Sequence, residues 1–301
     1  MIASIMFHYF HDDITYLKCQ GSLSEQDLEK IITTSKYKII SVDEWFNKYE
    51  TNRLSSNEVF LSFDDGLKEQ IKIALPVLER HNLKGLYAIN TKAILSGRDK
   101  LELYRHFRNN YFKDVNDFYV KFFDAITKTK WVDTYNRICT ELNFEEYLQE
   151  YSFYTYDDRK FRYFRDQILK EDYDEVMDLL ILNSDLDPDN LDLWFSLQDI
   201  RMISKNGHQI ALHTHTHPYN FDKLSEEMQY QELSLNKIIL QDIISKFVNI
   251  VSYPCGRYNE DTIKVLGKLN IDYAVLSAPS NNSERYRLGR IDCADILRYL
   301  S

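Results

Sequence analysis

The chain has 301 residues, of which 44% are hydrophobic and 14% aromatic. With 8 glycines and 5 prolines it is neither collagen-like, linker-like nor disordered, and it holds enough apolar material for one large core or two smaller ones. A formal net charge of −10 argues against nucleic acid or an anionic membrane surface as the main partner.

No stretch approaches the roughly 18 consecutive apolar residues of a membrane span. The segment from Met1 to Phe10 carries His8 and no Lys or Arg, so it does not read as a signal peptide, and a cytoplasmic location is expected. Cys19, Cys139, Cys255 and Cys293 lie far apart with no C-x-x-C spacing, so neither a disulfide framework nor a cysteine zinc site is expected.

In chain order, Ile2 to Phe7 reads as a short buried strand. Ser24 opens a helical pattern that runs to about Ser35. Ile39-Ile40 is a strand fragment, and Ser41-Val42-Asp43-Glu44 has the form of a capping box. Val59 to Phe63 is a clean strand, Lys68 to His81 a helix, and Leu86 to Ile89 the next strand. The rhythm then changes: residues 92–195 are rich in Tyr, Phe, Asp and Lys at helical spacing, as in Asp114 to Lys128, with few strand runs. This block reads as a helical insertion that covers or extends a rim. Its aromatics, such as Tyr104, Phe107, Tyr111, Phe112, Trp131, Tyr154 and Tyr156, are expected mostly in a core, and none is singled out as a binder.

After the insertion, alternation returns. Ser196 caps a helix that Asn206-Gly207 ends, and Gln209 to Leu212 is a strand. Ser225 to Phe247 is a long helix, Val248 to Ser252 a strand, Asn259 to Leu269 a helix and Tyr273 to Leu276 a strand. Arg290 to Asp292 is the last strand, with a short helix after it. Alternating strands and helices imply an α/β fold with a parallel sheet and right-handed crossovers, open or closed into a barrel.

Three polar clusters each begin where a strand stops: Asp64-Asp65-Gly66, His213-Thr214-His215-Thr216-His217-Pro218, and Tyr253-Pro254-Cys255-Gly256. Catalytic groups of α/β barrels come from the C-terminal ends of different strands. Two histidines and one carboxylate, with positions left open, make a divalent-metal hydrolase site. His213 and His217 are four apart, which on a helical turn brings both imidazoles to one ion. One of the paired aspartates is then the third ligand, and the other stays free to take a proton from a water acidified by the metal.

Phe63-Asp64-Asp65-Gly66, His213-Thr-x-x-His217-Pro218 and Tyr253-Pro254-x-Gly256 resemble the first three motifs of the NodB-type polysaccharide deacetylases, carbohydrate esterase family 4. The resemblance covers residues 1–91 and 196–301. It implies a distorted (β/α)7-type barrel, with residues 92–195 as the insertion. It further implies that Asp64 is the catalytic base, that Asp65, His213 and His217 bind the metal, usually zinc, and that the reaction removes an N-acetyl or other N-acyl group from an amino sugar. The substrate class is then a nucleotide-linked, lipid-linked or oligosaccharide amino sugar.

Departures from the family pattern are specific. Ser252 stands where the third motif usually has an Arg that orients the base, and Cys255 fills its aromatic position. No histidine follows His217, so the family's late Leu-x-His acid is missing. His8, at the tip of the first strand, is expected to serve as the acid, because in a closed barrel that strand neighbours the last one; His11 is a weaker candidate. Arg290 is expected to replace the missing Arg as partner of Asp64. A backbone N–H between Tyr253 and Cys255 is expected to steady the oxyanion, which makes Tyr253 and Cys255 candidate substrate-orienting positions. Two rival readings remain: an amidohydrolase or phosphoesterase of the metal-dependent kind, from His213-x-His215, and a catalytically impaired deacetylase-like protein that only binds glycan.

Overall fold

The computed structural model describes residues 2–19, 21–96, 99–149 and 154–300. Met1 and Ser301, the outer bounds expected for the barrel, lie outside the described residues. The chain forms two compact units, Met1–Asp99 with Leu191–Ser301, and Lys100–Asn190.

Among the described residues the first unit is built on eight strands: β1 (Ser4–Phe7), β2 (Lys38–Ile39), β3 (Glu58–Phe63), β4 (Gly85–Ile89), β5 (Gln209–Leu212), β6 (Ile250–Ser252), β7 (Tyr273–Val275) and β8 (Arg290–Asp292). All named pairs are parallel, in the order β7-β6-β5-β4-β3-β1-β8, with β2 beside β3. The sheet curls until the exit of β7 meets the approach to β8. There Leu276 N–H donates to the Leu288 carbonyl (2.8 Å), Leu288 N–H to that of Ala274 (3.0 Å) and Arg290 N–H to that of Ala278 (3.1 Å). The result is the expected α/β fold, a nearly closed (β/α)7-type barrel.

Register decides which residues enter the lumen, because side chains alternate along each strand. Ser4 lies beside Phe60 and Arg290, Ser62 beside Leu86, Ala88 beside Ala211, and Ser252 beside Val275. This row faces inward, and at the lower end the helix Val42–Glu50 plugs it. Trp45 donates its indole N–H to the Glu58 carbonyl (3.1 Å), and Phe46 stacks on Tyr273 with ring centroids 3.8 Å apart. The alternate row, including Ile5, Phe7, Leu61, Phe63, Tyr87, Ile89, Leu212 and Val251, packs outward against the helices.

Local chemistry explains most element ends. Ser24, Ser196 and Asn259 each make reciprocal capping boxes. Ser41 caps its helix one way only, accepting from Glu44 N–H, so the box read from the sequence is half formed. The helix expected over Lys68–His81 starts at Lys68 but passes through a π turn, Gln70–Ala74, before regular helix from Leu75 to Arg80. Pro76 has no N–H and its ring crowds the preceding turn, so a wider turn is accommodated there.

The second unit is helical. Phe118, Phe122 and Phe161 are fully buried, and their rings meet edge-on or tilted. Of the aromatics singled out in this block, Tyr104 and Phe107 are buried, while Tyr111 and Tyr156 are exposed. Among the described residues no helix is long and apolar enough to cross a membrane.

Candidate active site

Asp64 and Asp65 follow β3 directly. Asp65 adopts φ 76°, a left-handed conformation that Asp tolerates better than most residues, and Gly66 follows with φ 66°. The loop is pinned from outside: Phe195 N–H donates to the Gly66 carbonyl and Lys68 N–H to that of Leu193, both at 2.8 Å. The two carboxylates therefore diverge.

Asp64 faces the lumen and is only 2% exposed. Arg290 grips it with both terminal nitrogens, Nη1 to Oδ1 at 2.8 Å and Nη2 to Oδ2 at 2.6 Å. Arg290 is itself fully buried, and it also donates to Ser62 Oγ (3.1 Å), Ser252 Oγ (2.8 Å) and the Leu276 carbonyl (2.6 Å). Ser252 Oγ in turn donates to Asp64 Oδ2 at 3.0 Å. The serine in the place of an expected Arg thus relays the grip of an Arg from another strand. Burial is the largest influence and raises the Asp64 pKa, but the charge and hydrogen bonds of Arg290, with the nearby His213 and His8, together outweigh it and hold the carboxyl at about 2.

Asp65 points the other way. Its Oδ1 lies 3.3 Å from His213 Nε2 and 3.5 Å from His217 Nε2. The donor atoms of Asp65, His213 and His217 all fall within 4.8 Å of one another, so one ion can reach all three. The donor set fits a divalent metal on a second count. His213 Nδ1 donates to the Ser252 carbonyl at 2.7 Å, which fixes the tautomer and leaves Nε2 as a ligand. Burial opposes a charged His217 ring and takes it down to about 4, so it is neutral at pH 7 and able to ligate.

The histidine segment is not a helical turn, contrary to the sequence reading. It is a bend in which Thr214 (φ 64°) and His217 (φ 52°) are left-handed, and this bend brings the two rings to 4.7 Å between centroids. Its shape is held by neighbours that sequence reading missed. Glu232, on the helix Glu226–Ile244, accepts from His215 N–H (2.9 Å), Thr216 N–H (2.8 Å) and Thr216 Oγ1 (2.7 Å). One turn on, fully buried Asn236 accepts from His213 N–H (3.0 Å) and donates to the Ile89 carbonyl (3.0 Å) and Thr91 Oγ1 (3.1 Å). The middle histidine, His215, turns away to Thr91 Oγ1 at 2.9 Å.

His8 follows β1 with 30% of its side chain exposed, and its Nε2 lies 3.9 Å from Asp64 Oδ2. The first strand pairs with the last, which brings His8 close to Asp64 and Arg290. His11 is a structural histidine, buried with Nδ1 on Ser22 Oγ at 2.9 Å. Tyr253 does not reach the site through its side chain. Its ring is 1% exposed and stacks on Tyr258, and its hydroxyl donates to the Tyr286 carbonyl at 3.0 Å. Its N–H is spent on the Val275 carbonyl, and Pro254 has none, so Cys255 supplies the N–H left at that turn. Cys255 is exposed, with φ 52°.

The model of the family described as "Polysaccharide deacetylase" matches residues 153–274, a stretch that contains His213, His217 and the Tyr253–Gly256 turn. Over that stretch the chain is similar to polysaccharide deacetylases. The putative polysaccharide deacetylase YxkH of Bacillus subtilis is 28% identical over 97 residues, 31% of this chain and 34% of the relative, so the match spans about a third of that protein. Solved structures share the fold at low identity. The Streptococcus pyogenes deacetylase PplD in complex with acetate superposes with a TM-score of 0.57 at 16% identity, covering 100% of this chain and 98% of the other. IcaB from Ammonifex degensii gives 0.59 at 11%, covering 100% and 97%.

Proposed function

We propose that the protein is a metal-dependent hydrolase that removes an N-acetyl or related N-acyl group from an amino sugar, whether nucleotide-linked, lipid-linked or part of an oligosaccharide. One observation carries the reading: three donor groups close enough to share one ion lie beside a second carboxylate held by an Arg. The family match and the shared fold support it.

The chemistry that a divalent ion, zinc above all, supplies when held by Asp65, His213 and His217 is Lewis acidity toward the amide carbonyl and an easier loss of a proton from water. The rest belongs to the chain. Asp64 Oδ2 is engaged by Arg290 and Ser252, whereas among the described residues Oδ1 accepts from Arg290 alone. A carboxylate oxygen has two lone-pair sites, so Oδ1 keeps one for the attacking water. As the water attacks the carbonyl carbon, its proton passes to Asp64. The Cys255 N–H, the one left at the Tyr253–Gly256 turn, serves to steady the oxyanion in this reading. The C–N bond then breaks, and His8 delivers a proton to the leaving amine.

The test is Asp64→Asn, assayed by acetate release from N-acetylglucosamine oligomers and N-acetylated nucleotide sugars. Turnover is expected to fall by about 10²–10⁴-fold, as for loss of a general base, while bound metal stays at one per chain. Near-normal turnover in that variant sinks the assignment. Stoichiometric metal in the unaltered protein with no acetate from any donor favours the glycan-binding alternative, and hydrolysis of phosphodiesters instead favours the phosphoesterase one.

A further inference from the structure

Gln70 is fully buried, polar and outside every motif discussed above. Its Nε2 donates to the His8 carbonyl at 2.9 Å and to the Asp64 carbonyl at 2.6 Å. The two acceptors settle the amide's orientation, because two carbonyls facing one group both demand a donor. Its Oε1 has no partner among the described residues, so the residue is not placed there to satisfy itself. Two neighbours reinforce the tie. Glu69 Oε1 accepts from Phe10 N–H (3.3 Å), two residues past His8. Gln70 also opens the π turn, its carbonyl taking the Leu75 N–H five residues on. Such turns recur at functional sites, where they re-aim a side chain.

We propose that Gln70 is a positioning residue that sets the proton donor against the base, by clamping the backbones of His8 and Asp64 to one amide. The inference rests on the reading of His8 as acid and Asp64 as base. In that reaction the amine nitrogen leaves with a proton from His8, so a donor displaced by an ångström slows C–N cleavage. An ester with a good leaving group departs as an anion and needs no such proton. Gln70 therefore matters to amide cleavage and little to activated-ester cleavage.

The experiment compares an N-acetylglucosamine oligomer with 4-nitrophenyl acetate, using the zinc-loaded protein and its Gln70→Leu and His8→Ala variants. Gln70→Leu is expected to lose about tenfold or more in kcat on the amide and less than about twofold on the ester, since outer partners that orient a reacting group are worth about that much. His8→Ala is expected to show the same ester-sparing pattern with a larger loss, about 10²-fold. Gln70→Met keeps the side chain's length and serves if the leucine variant unfolds. Equal losses on both substrates, or no loss, in a folded Gln70 variant overturn the clamp while an ester-sparing His8→Ala keeps the acid. A His8→Ala variant that is not ester-sparing overturns the acid assignment and the clamp together.

Discussion

A carboxylate as deeply buried as Asp64 is tolerable as an ion only because Arg290 and Ser252 answer its charge. The fork of the guanidinium matters as much as its charge, since one group holds both carboxylate oxygens and the serines at 62 and 252. A lysine cannot copy that fork. Arg290→Lys is expected to keep the fold but lower kcat by about 10²-fold, the size of effect that follows an ångström of misplacement, with little change in metal content. Arg290→Met is expected to lower stability as well, by about 3–5 kcal/mol, because it strands the buried Asp64 charge. Kinetics, metal analysis and denaturant unfolding of the two variants check both statements; a fully active Arg290→Met protein contradicts the pairing. That Arg290 belongs with Asp64 was legible in the sequence, as the one Arg at the start of the last strand. The part played by Ser252 was not, because a serine at a strand end carries no signal of what it bridges.

At the scale of elements, the strands and most helices were readable because each apolar run stops at a polar cluster or a cap. What sequence patterning could not show is how helices lean in on loops. Glu232 and Asn236 look like polar positions on a long surface helix, yet they hold the histidine bend through its backbone. The bend itself was misread as a helical turn, since a four-residue spacing of histidines is equally compatible with two left-handed residues. Asn236→Leu is expected to weaken zinc affinity by about 10–100-fold, the usual effect of losing a partner that orients a ligand. It is also expected to lower stability by about 1–3 kcal/mol, through the carbonyl and N–H groups left unpaired. A competition titration against a chelator measures the first. Unchanged affinity shows that β5 alone holds His213.

Over the whole barrel unit, function depends on closing the sheet. The seam between β7 and β8 passes Gly289, whose carbonyl accepts from Ala3 N–H (2.7 Å) and whose N–H donates to Asn282 Oδ1 (2.6 Å). A Cβ there meets Ser280 N at 2.0 Å and the Pro279 carbonyl carbon at 2.7 Å. Gly289→Ala is therefore expected to cost about 1–3 kcal/mol, as overpacking does, and to lower activity more than a distant variant of equal stability, because Arg290 is the next residue. Thermal unfolding alongside kcat tests the link; a variant as stable and active as the parent shows that the seam yields. The ion pair at the heart of the barrel joins positions 226 apart in the chain, and this has a consequence for biosynthesis. A nascent polypeptide leaves the ribosome N-terminus first, so Asp65, His213 and His217 and their supports at 232, 236 and 252 are all out, while the carboxylate at 64 still waits for the guanidinium at 290. Until then that acid is an unanswered charge in an unfinished wall, so on the proposed reading a cation can be taken up before catalysis is possible.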